Sequence, residues 1–329
     1  MTKPIQLAGG LWTFPIVLPD NPLKWLNCYV IKGEGGGRSL LVDTGFDLEA
    51  CRAELFAGME ALGLRPGDTD VFLTHLHSDH SGNAAVLQRL GCRILMGERE
   101  YALFAQGEDA RWAAGKRRAL AEGMSEVELE RIDSEGRAVI YTSGAIDAVT
   151  VNDGDRLSYG GYELECVETP GHSPGHMCLW NREHGVLFLG DHVLFDITPN
   201  ICAWSCMADS LGDYLESLKR IRGYDVRLPL PGHRYNGRGK SLAGRVDALL
   251  GHHRRRLAEA ESIVAGGSGM DAYSVAARMS WHIKACDWEH FPVTQKYFAL
   301  SETLSHLDHL VIEGRIRRAA GADGRPVYF

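Results

Sequence analysis

The stretch Thr74 to Asn83, Thr-His-Leu-His-Ser-Asp-His-Ser-Gly-Asn, constrains this chain more than any other, and it follows directly on the apolar run Val71 to Leu73. A short apolar run closed by polar residues predicts a buried strand, so the polar stretch lies where a strand ends and a helix begins. His75 and His77 are two positions apart, and in an extended or tightly turning backbone both imidazoles point the same way. Asp79 and His80 follow on the turn into the helix. Imidazole nitrogen and carboxylate oxygen are donors that divalent transition metals take, so the stretch reads as a metal-ligand cluster and not as a plain polar loop.

The pattern His75-x-His77-x-Asp79-His80 resembles the signature of the metallo-β-lactamase superfamily of hydrolases. Such enzymes take further ligands from a Pro-Gly-His turn, a Gly-Asp pair ending a strand, and a second Gly-His turn. The matching residues here are His172 in Thr169-Pro170-Gly171-His172, Asp191 in Phe188-Leu189-Gly190-Asp191, and His233 in Leu230-Pro231-Gly232-His233, in the expected order. The resemblance implies an α+β fold, a four-layer αβ/βα sandwich with metals at the sheet edge. It implies two metal ions, the first on His75, His77 and His172, the second on Asp79, His80 and His233, with Asp191 between them. Asp79 is the residue expected to be indispensable to catalysis. Zinc suits the histidine-rich set, and iron or manganese fits the same donors. In the superfamily an aspartate at the place of Asp43 lies beneath the metal site, so Asp43 is a candidate to accept a hydrogen bond from a ligand imidazole. A plain turn aspartate is the other reading. His176 is expected to support a ligand or sit satisfied in the core, while His192 and Tyr235 are candidates for protonating a leaving group, with no role assigned.

Alternating segments predict strands at Gly10 to Val17, Asn27 to Lys32 and Ser39 to Val42, the last two joined through a glycine turn. Asp47 to Leu62 carries Leu55, Met59 and Leu62 on one helical face, and Asp68 to Leu73 returns as a strand. Glu98 to Glu135 is charged and helix-forming, and is expected to be an inserted pair of helices. Its Tyr101, Phe104 and Trp112 would either roof a substrate cleft or pack the pair on the body. Strands are expected again from Val139, then at Leu157 to Tyr159, Tyr162 to Val167, Met177 to Trp180, Val186 to Leu189 and Val226 to Leu230. Helices are expected at Asp209 to Ile221 and Ser241 to Val264. The second holds His252-His253-Arg254-Arg255-Arg256, read as a solvated face because adjacent helical residues point apart.

Gly266-Gly267-Ser268-Gly269 marks a break, so residues 1–250 are expected to form the catalytic domain, with an insert at about 98–135, and residues 251–329 a linker helix and a small domain. In that small domain a helix from Asp271 to about Ile283, a loop with Trp288, His290 and Phe291, a helix from Thr294 to about Glu313 and a terminal hairpin resemble a winged helix. The loop would close one wall of the cleft.

The formal charge of −8 and a pI near 6.0 argue against a dedicated nucleic-acid binder. Acidic residues outnumber basic ones 34 to 25 before Gly251, which works against a phosphate track. The expected reaction is therefore hydrolysis of an ester, thioester or lactone, similar to hydroxyacylglutathione hydrolase. A metallo-endoribonuclease acting on single-stranded RNA is the alternative, and a homodimer stays open. The N-terminal residues lack the apolar core of a signal peptide, no window approaches a membrane span, and eight scattered cysteines read as reduced thiols. A cytoplasmic protein with no membrane partner is expected.

Overall fold

A computed structural model describes residues 3–329 apart from 136–140, 143, 235–238, 283–284 and 286. The expected strand start at Val139, and Tyr235, lie outside the described residues. The apolar run before the histidine cluster is strand β5 (Thr69–Leu73), buried along its whole length. A strand buried on both faces belongs inside a parallel sheet, and β5 pairs in parallel with β4 (Ser39–Val42) and β6 (Arg93–Gly97). The sheet is completed by β1 (Ile5–Ala8), β2 (Leu11–Val17) and β3 (Trp25–Ile31) as an antiparallel meander on one side, and by β7 (Ala148–Val151) on the other.

The second sheet has five strands in the order β12-β11-β10-β9-β8. These are β8 (Arg156–Tyr159), β9 (Tyr162–Glu168), β10 (Met177–Asn181), β11 (Val186–Gly190) and β12 (Leu228–Pro231), all antiparallel except the β11–β12 pair. Strand alternation sorts the apolar side chains into layers. Leu40, Val42, Phe72 and Leu95 of the first sheet pack against Leu164, Cys166, Leu179 and Phe188 of the second. Leu41, Val71, Leu73 and Ile94 point the other way, onto Leu55 and Met59 of α1 (Glu49–Ala61) and Ala84, Ala85 and Leu87 of α3 (Ala84–Arg89). Val167, Cys178, Trp180 and Leu187 face outward from the second sheet onto α7 (Ser210–Arg222), α8 (Leu242–Ala265) and α10 (Val293–Ile312). The result is the expected helix-sheet-sheet-helix sandwich.

Three segments differ from expectation. The insert is three helices, α4 (Glu98–Phe104), α5 (Glu108–Ala121) and α6 (Glu126–Glu135), because Gly107 and Gly123 take left-handed φ values of 79° and 108° and end each turn of chain. The helix predicted from Asp271 stops early as α9 (Ala272–Ala276). There Glu259 and Arg256 of α8 take the Ser280 N–H and carbonyl, satisfying backbone groups that a continued helix would have used. On α8 itself the face read as solvated is divided: Arg254 and Arg255 are exposed, but His253 and Arg256, three apart and so on one side, are buried against α10 and the loop at Ser280.

The insert aromatics are packing residues. Phe104 is buried, the Tyr101 hydroxyl donates to the Ile146 carbonyl, and Trp112 lies 5.1 Å from the ring of Tyr297 on α10. Trp288 packs on Tyr273 and Phe291 at ring distances of 5.3 and 5.2 Å. A terminal hairpin, β13 (Arg318–Ala320) with β14 (Pro326–Tyr328), follows α10 and is anchored through a bridge between Tyr328 and Met270. Among the described residues no helix is long and apolar enough to cross a membrane.

Candidate metal centre

All seven candidate ligands come together at one edge of the sandwich, where the chain leaves β5, β9, β11 and β12. His75 and His77 stand in the loop after β5, Asp79 and His80 on the one-turn helix α2 (Ser78–Ser81), and His172, Asp191 and His233 on the segments after β9, β11 and β12. They form two groups. In one, His77 Nδ1 lies 3.0 Å from His75 Nε2 and 3.0 Å from His172 Nε2. In the other, His233 Nε2 lies 3.1 Å from His80 Nε2 and 3.1 Å from Asp79 Oδ2. Asp191 sits between them: its Oδ1 is 3.4 Å from His80 Nε2, and its Oδ2 is 3.4 Å from His233 Nε2 and 3.8 Å from His172 Nε2. Four ligands about 2.0–2.1 Å from a tetrahedral cation stand about 3.3 Å from one another, close to these separations.

The outer hydrogen bonds show which ring nitrogens carry protons. His172 Nδ1 donates to the Asn200 carbonyl at 2.8 Å, and His233 Nδ1 donates to the Trp25 carbonyl at 2.9 Å. His80 Nδ1 donates to Asp43 Oδ2 at 2.7 Å. The Thr74 hydroxyl has one proton, which it gives to Asp43, so it accepts from His75 Nδ1 at 3.0 Å. Four imidazoles thus carry a proton on the outward Nδ1 and turn Nε2 inward. Ring nitrogens and carboxylate oxygens converging on two points, with a buried Asp191 Oδ1 that has no hydrogen-bond partner, are an arrangement that cations would complete. The donor set fits divalent transition metals.

The acid–base balance agrees. Burial pushes His75 well below its ordinary pKa and His77 down to about 3, and it lowers His172, so the three-histidine group is neutral and ready to ligate. At His233 burial acts downward, but Asp191 and Asp79 outweigh it and hold the imidazole up at about 9; His80 is likewise raised by Asp43, Asp191 and Asp79. Two nitrogens 3.1 Å apart can share only one proton between them. A cation taking these positions displaces protons from this group, so uptake releases them.

Several residues outside the seven candidate ligands hold the site, of which the sequence pointed to Asp43 and His176 but not to Glu100 or Trp204. Asp43 does what one of its two readings required: in a left-handed conformation, φ 62°, it accepts from the Thr74 N–H and hydroxyl and from His80. His176 is a support, its Nε2 accepting from the Asp191 N–H at 3.2 Å and its Nδ1 bonded to Thr169 Oγ1 at 2.8 Å. Glu100 of α4, fully buried, accepts from Leu76 N at 2.8 Å and Gly175 N at 2.6 Å and so ties the His75 loop to the His172 loop. Trp204 stacks on His77 at 5.9 Å and donates from Nε1 to the His172 carbonyl. At Gly232 a Cβ would stand 2.5 Å from Asp191 Oδ1, which is why a glycine precedes His233. His192 is buried behind the centre, and burial pushes it down to about 3, so near neutral pH it is a neutral imidazole and not an imidazolium acid.

The comparisons with known proteins cover the segment that carries these residues. The metallo-beta-lactamase superfamily profile matches residues 26–233, and a metallo-beta-lactamase-like C-terminal domain profile matches residues 289–329. A metallo-beta-lactamase family protein from Thermus thermophilus superposes with a TM-score of 0.81 at 29% identity, covering 98% of this chain and 99% of that one. A beta-lactamase domain protein from Burkholderia ambifaria gives 0.84 at 27% identity, over 99% and 93%. By sequence the chain is 30% identical over 219 residues to the acyl-coenzyme A thioesterase MBLAC2 of Gallus gallus, covering 63% of this chain and 72% of that protein. It is 26% identical over 217 residues to an atrochrysone carboxyl ACP thioesterase of Emericella nidulans, covering 66% of this chain but only 54% of the relative, so the chain spans about half the length of that protein. With the profile covering most of the chain and the ligand pattern intact within it, this protein belongs to the metallo-beta-lactamase superfamily.

Proposed function

We propose that this protein is a dinuclear metal-dependent hydrolase of thioesters, with esters and lactones as related substrates. The observation that carries the reading is the pair of inward-facing donor groups with the Asp191 carboxylate between them, which gives seven ligands where a single tetrahedral site uses four. His75, His77 and His172 would hold one ion, Asp79, His80 and His233 the other, and Asp191 both. Zinc is the first choice for so many imidazoles. Two divalent ions bound there would supply Lewis acidity and a water-derived nucleophile at neutral pH.

The chain's own residues do the remaining work. Asp43, Thr74, Asn200 and Trp25 fix the imidazole tautomers, so the ligands are preorganised and no ring has to turn when charge develops at the acyl oxygen. Hydrolysis adds water across the acyl–sulfur bond and gives a carboxylic acid and a thiol. A thiol leaves as its thiolate with little help, since its pKa is about 8.5, which suits a site whose buried His192 is a neutral imidazole. The names of the acyl-coenzyme A and acyl-carrier-protein thioesterase relatives support the same acyl chemistry. The free cysteines fit a reducing compartment, and we place the protein in the cytoplasm.

The test is a parallel assay of acyl thioesters and lactones against a labelled single-stranded RNA, at low and moderate salt. Turnover of thioesters with weak salt dependence is expected. Efficient RNA cleavage lost in Asp79→Ala, beside an inert thioester and lactone panel, would overturn this reading in favour of a ribonuclease.

A further inference from the structure

The loop that runs from β11 to α7 touches the three-histidine group twice. The Asn200 carbonyl receives the Nδ1 proton of His172, and the Trp204 indole both stacks on His77 and donates to the His172 carbonyl. Nothing in the two sheets holds residues 200–204 in that place by a ladder, because the segment is neither strand nor helix. What it rests on is α10, about a hundred residues further along the chain. The Ser305 hydroxyl, fully buried, lies 2.6 Å from the Ile201 carbonyl and 2.8 Å from the Glu302 carbonyl of its own helix, the shorter contact being to Ile201, and the Ala203 N–H donates to the Ser301 carbonyl at 3.0 Å. At the far end of the loop His309 Nδ1 donates to Asp209, the residue that caps α7. Ile201 itself is buried in the core shared with α10.

Two of these three anchors are next in sequence to a contact on the metal centre: Ile201 follows Asn200, and Ala203 precedes Trp204. Adjacent residues in an irregular segment cannot move independently over distances that matter to a hydrogen bond, so a shift of Ile201 carries the Asn200 carbonyl off His172 Nδ1. That carbonyl fixes the ring's tautomer and aim, and partners of this kind change metal affinity about 10–100-fold when removed. Resting on the metal-centre reading above, we propose that α10 is part of the framework of the three-histidine site, and that Ser305 is a positioning residue for His172 acting through Ile201 and Asn200. The C-terminal segment then serves the metal chemistry through the loop that carries Asn200 and Trp204.

The experiment isolates the three-histidine group in an Asp79→Ala background and titrates it with Co2+, reading visible d–d absorption and competition with a chelator. Adding Ser305→Ala is expected to weaken Co2+ binding about tenfold and to alter the absorption band. Thr303→Ala, a buried α10 change whose hydroxyl meets the Ala299 carbonyl and Met279 Sδ, neither of them in the 200–204 loop, is expected to lower thermal stability while leaving Co2+ affinity unchanged. Equal affinity with and without Ser305→Ala, or an equal loss in Thr303→Ala, overturns the proposal alone. Absence of Co2+ uptake by the Asp79→Ala protein overturns the metal reading as well. Should Ser305→Ala fail to fold, Trp204→Phe, which keeps the stack but loses the N–H to His172, is expected to weaken binding several-fold, and unchanged affinity there overturns the proposal too.

Discussion

At the scale of single residues, the proposed centre separates candidate ligands from the groups that aim them, and the two kinds of substitution are expected to fail differently. Asp79 offers its Oδ2 to the same point as His233 and His80, and His77 is the middle nitrogen of the other group. Asp79→Ala and His77→Ala are each expected to abolish hydrolysis in a steady-state assay, with a circular dichroism spectrum like that of the parent, since His77 in its loop and Asp79 on a one-turn helix both lie at the sandwich edge. Asp43→Asn leaves the ligands in place but puts an amide where a carboxylate took the His80 Nδ1 proton and two bonds from Thr74. An amide has one acceptor oxygen for what were two. Metal affinity by chelator competition is expected to fall about 10–100-fold, and a variant with unchanged affinity would show that Asp43 is only a turn residue.

At the scale of elements, what was legible in the sequence was whatever has a short period or a tight spacing. The ligand residues come in local motifs, and β5, α1 and the sheet strands announce themselves by alternation or an apolar face. Glu100, Trp204 and Asn200 gave no such signal, because each acts across the fold on a loop far from it in sequence, and a lone glutamate on a charged helix looks like any solvated one. The same holds for His253 on α8. Within a run of histidines and arginines it reads as surface, yet its Nδ1 lies 3.2 Å from Nε2 of His306 on α10, and both rings are buried. Only the docking of one helix on the other decides which face of that run is covered. This contact carries a pH signature. Burial pushes His306 down to about 3, below the ordinary 6.5, so the folded chain binds fewer protons than the unfolded one. Stability is then complete above 6.5 and is lost as pH falls from 6.5 toward 3. At pH 5 one such histidine costs about 2 kcal/mol. Urea midpoints at pH 7.5 and pH 5.0 should drop less in His306→Gln than in the parent, and equal slopes would remove His306 as a source of the acid sensitivity.

At the scale of the whole molecule, the centre is a clasp. Its ligands leave strands of both sheets, β5 from the first and β9, β11 and β12 from the second, and the loop that orients His172 and His77 rests on α10. An unfolded chain cannot present these seven groups together, so cation binding adds directly to the free energy of folding. For a site filled at about a hundred times its dissociation constant the gain is about 2.7 kcal/mol, and two sites add further. The sandwich would not come apart without the ions, because its three apolar clusters are independent of them. Metal removal is therefore expected to lower the melting temperature by several degrees while leaving the far-ultraviolet spectrum intact, and resupply of zinc or manganese should restore it. Elemental analysis of the resupplied protein is expected to find close to two transition-metal ions per chain. A value that stays at one would leave a mononuclear centre, with Asp191 assigned to whichever donor group is filled. A melting temperature indifferent to chelation would mean that the clasp contributes nothing to the fold, and that hydrogen bonds such as those of Asp43, Glu100 and His176 and the Gly232 N–H to the Gly190 carbonyl suffice to hold the strand ends in register.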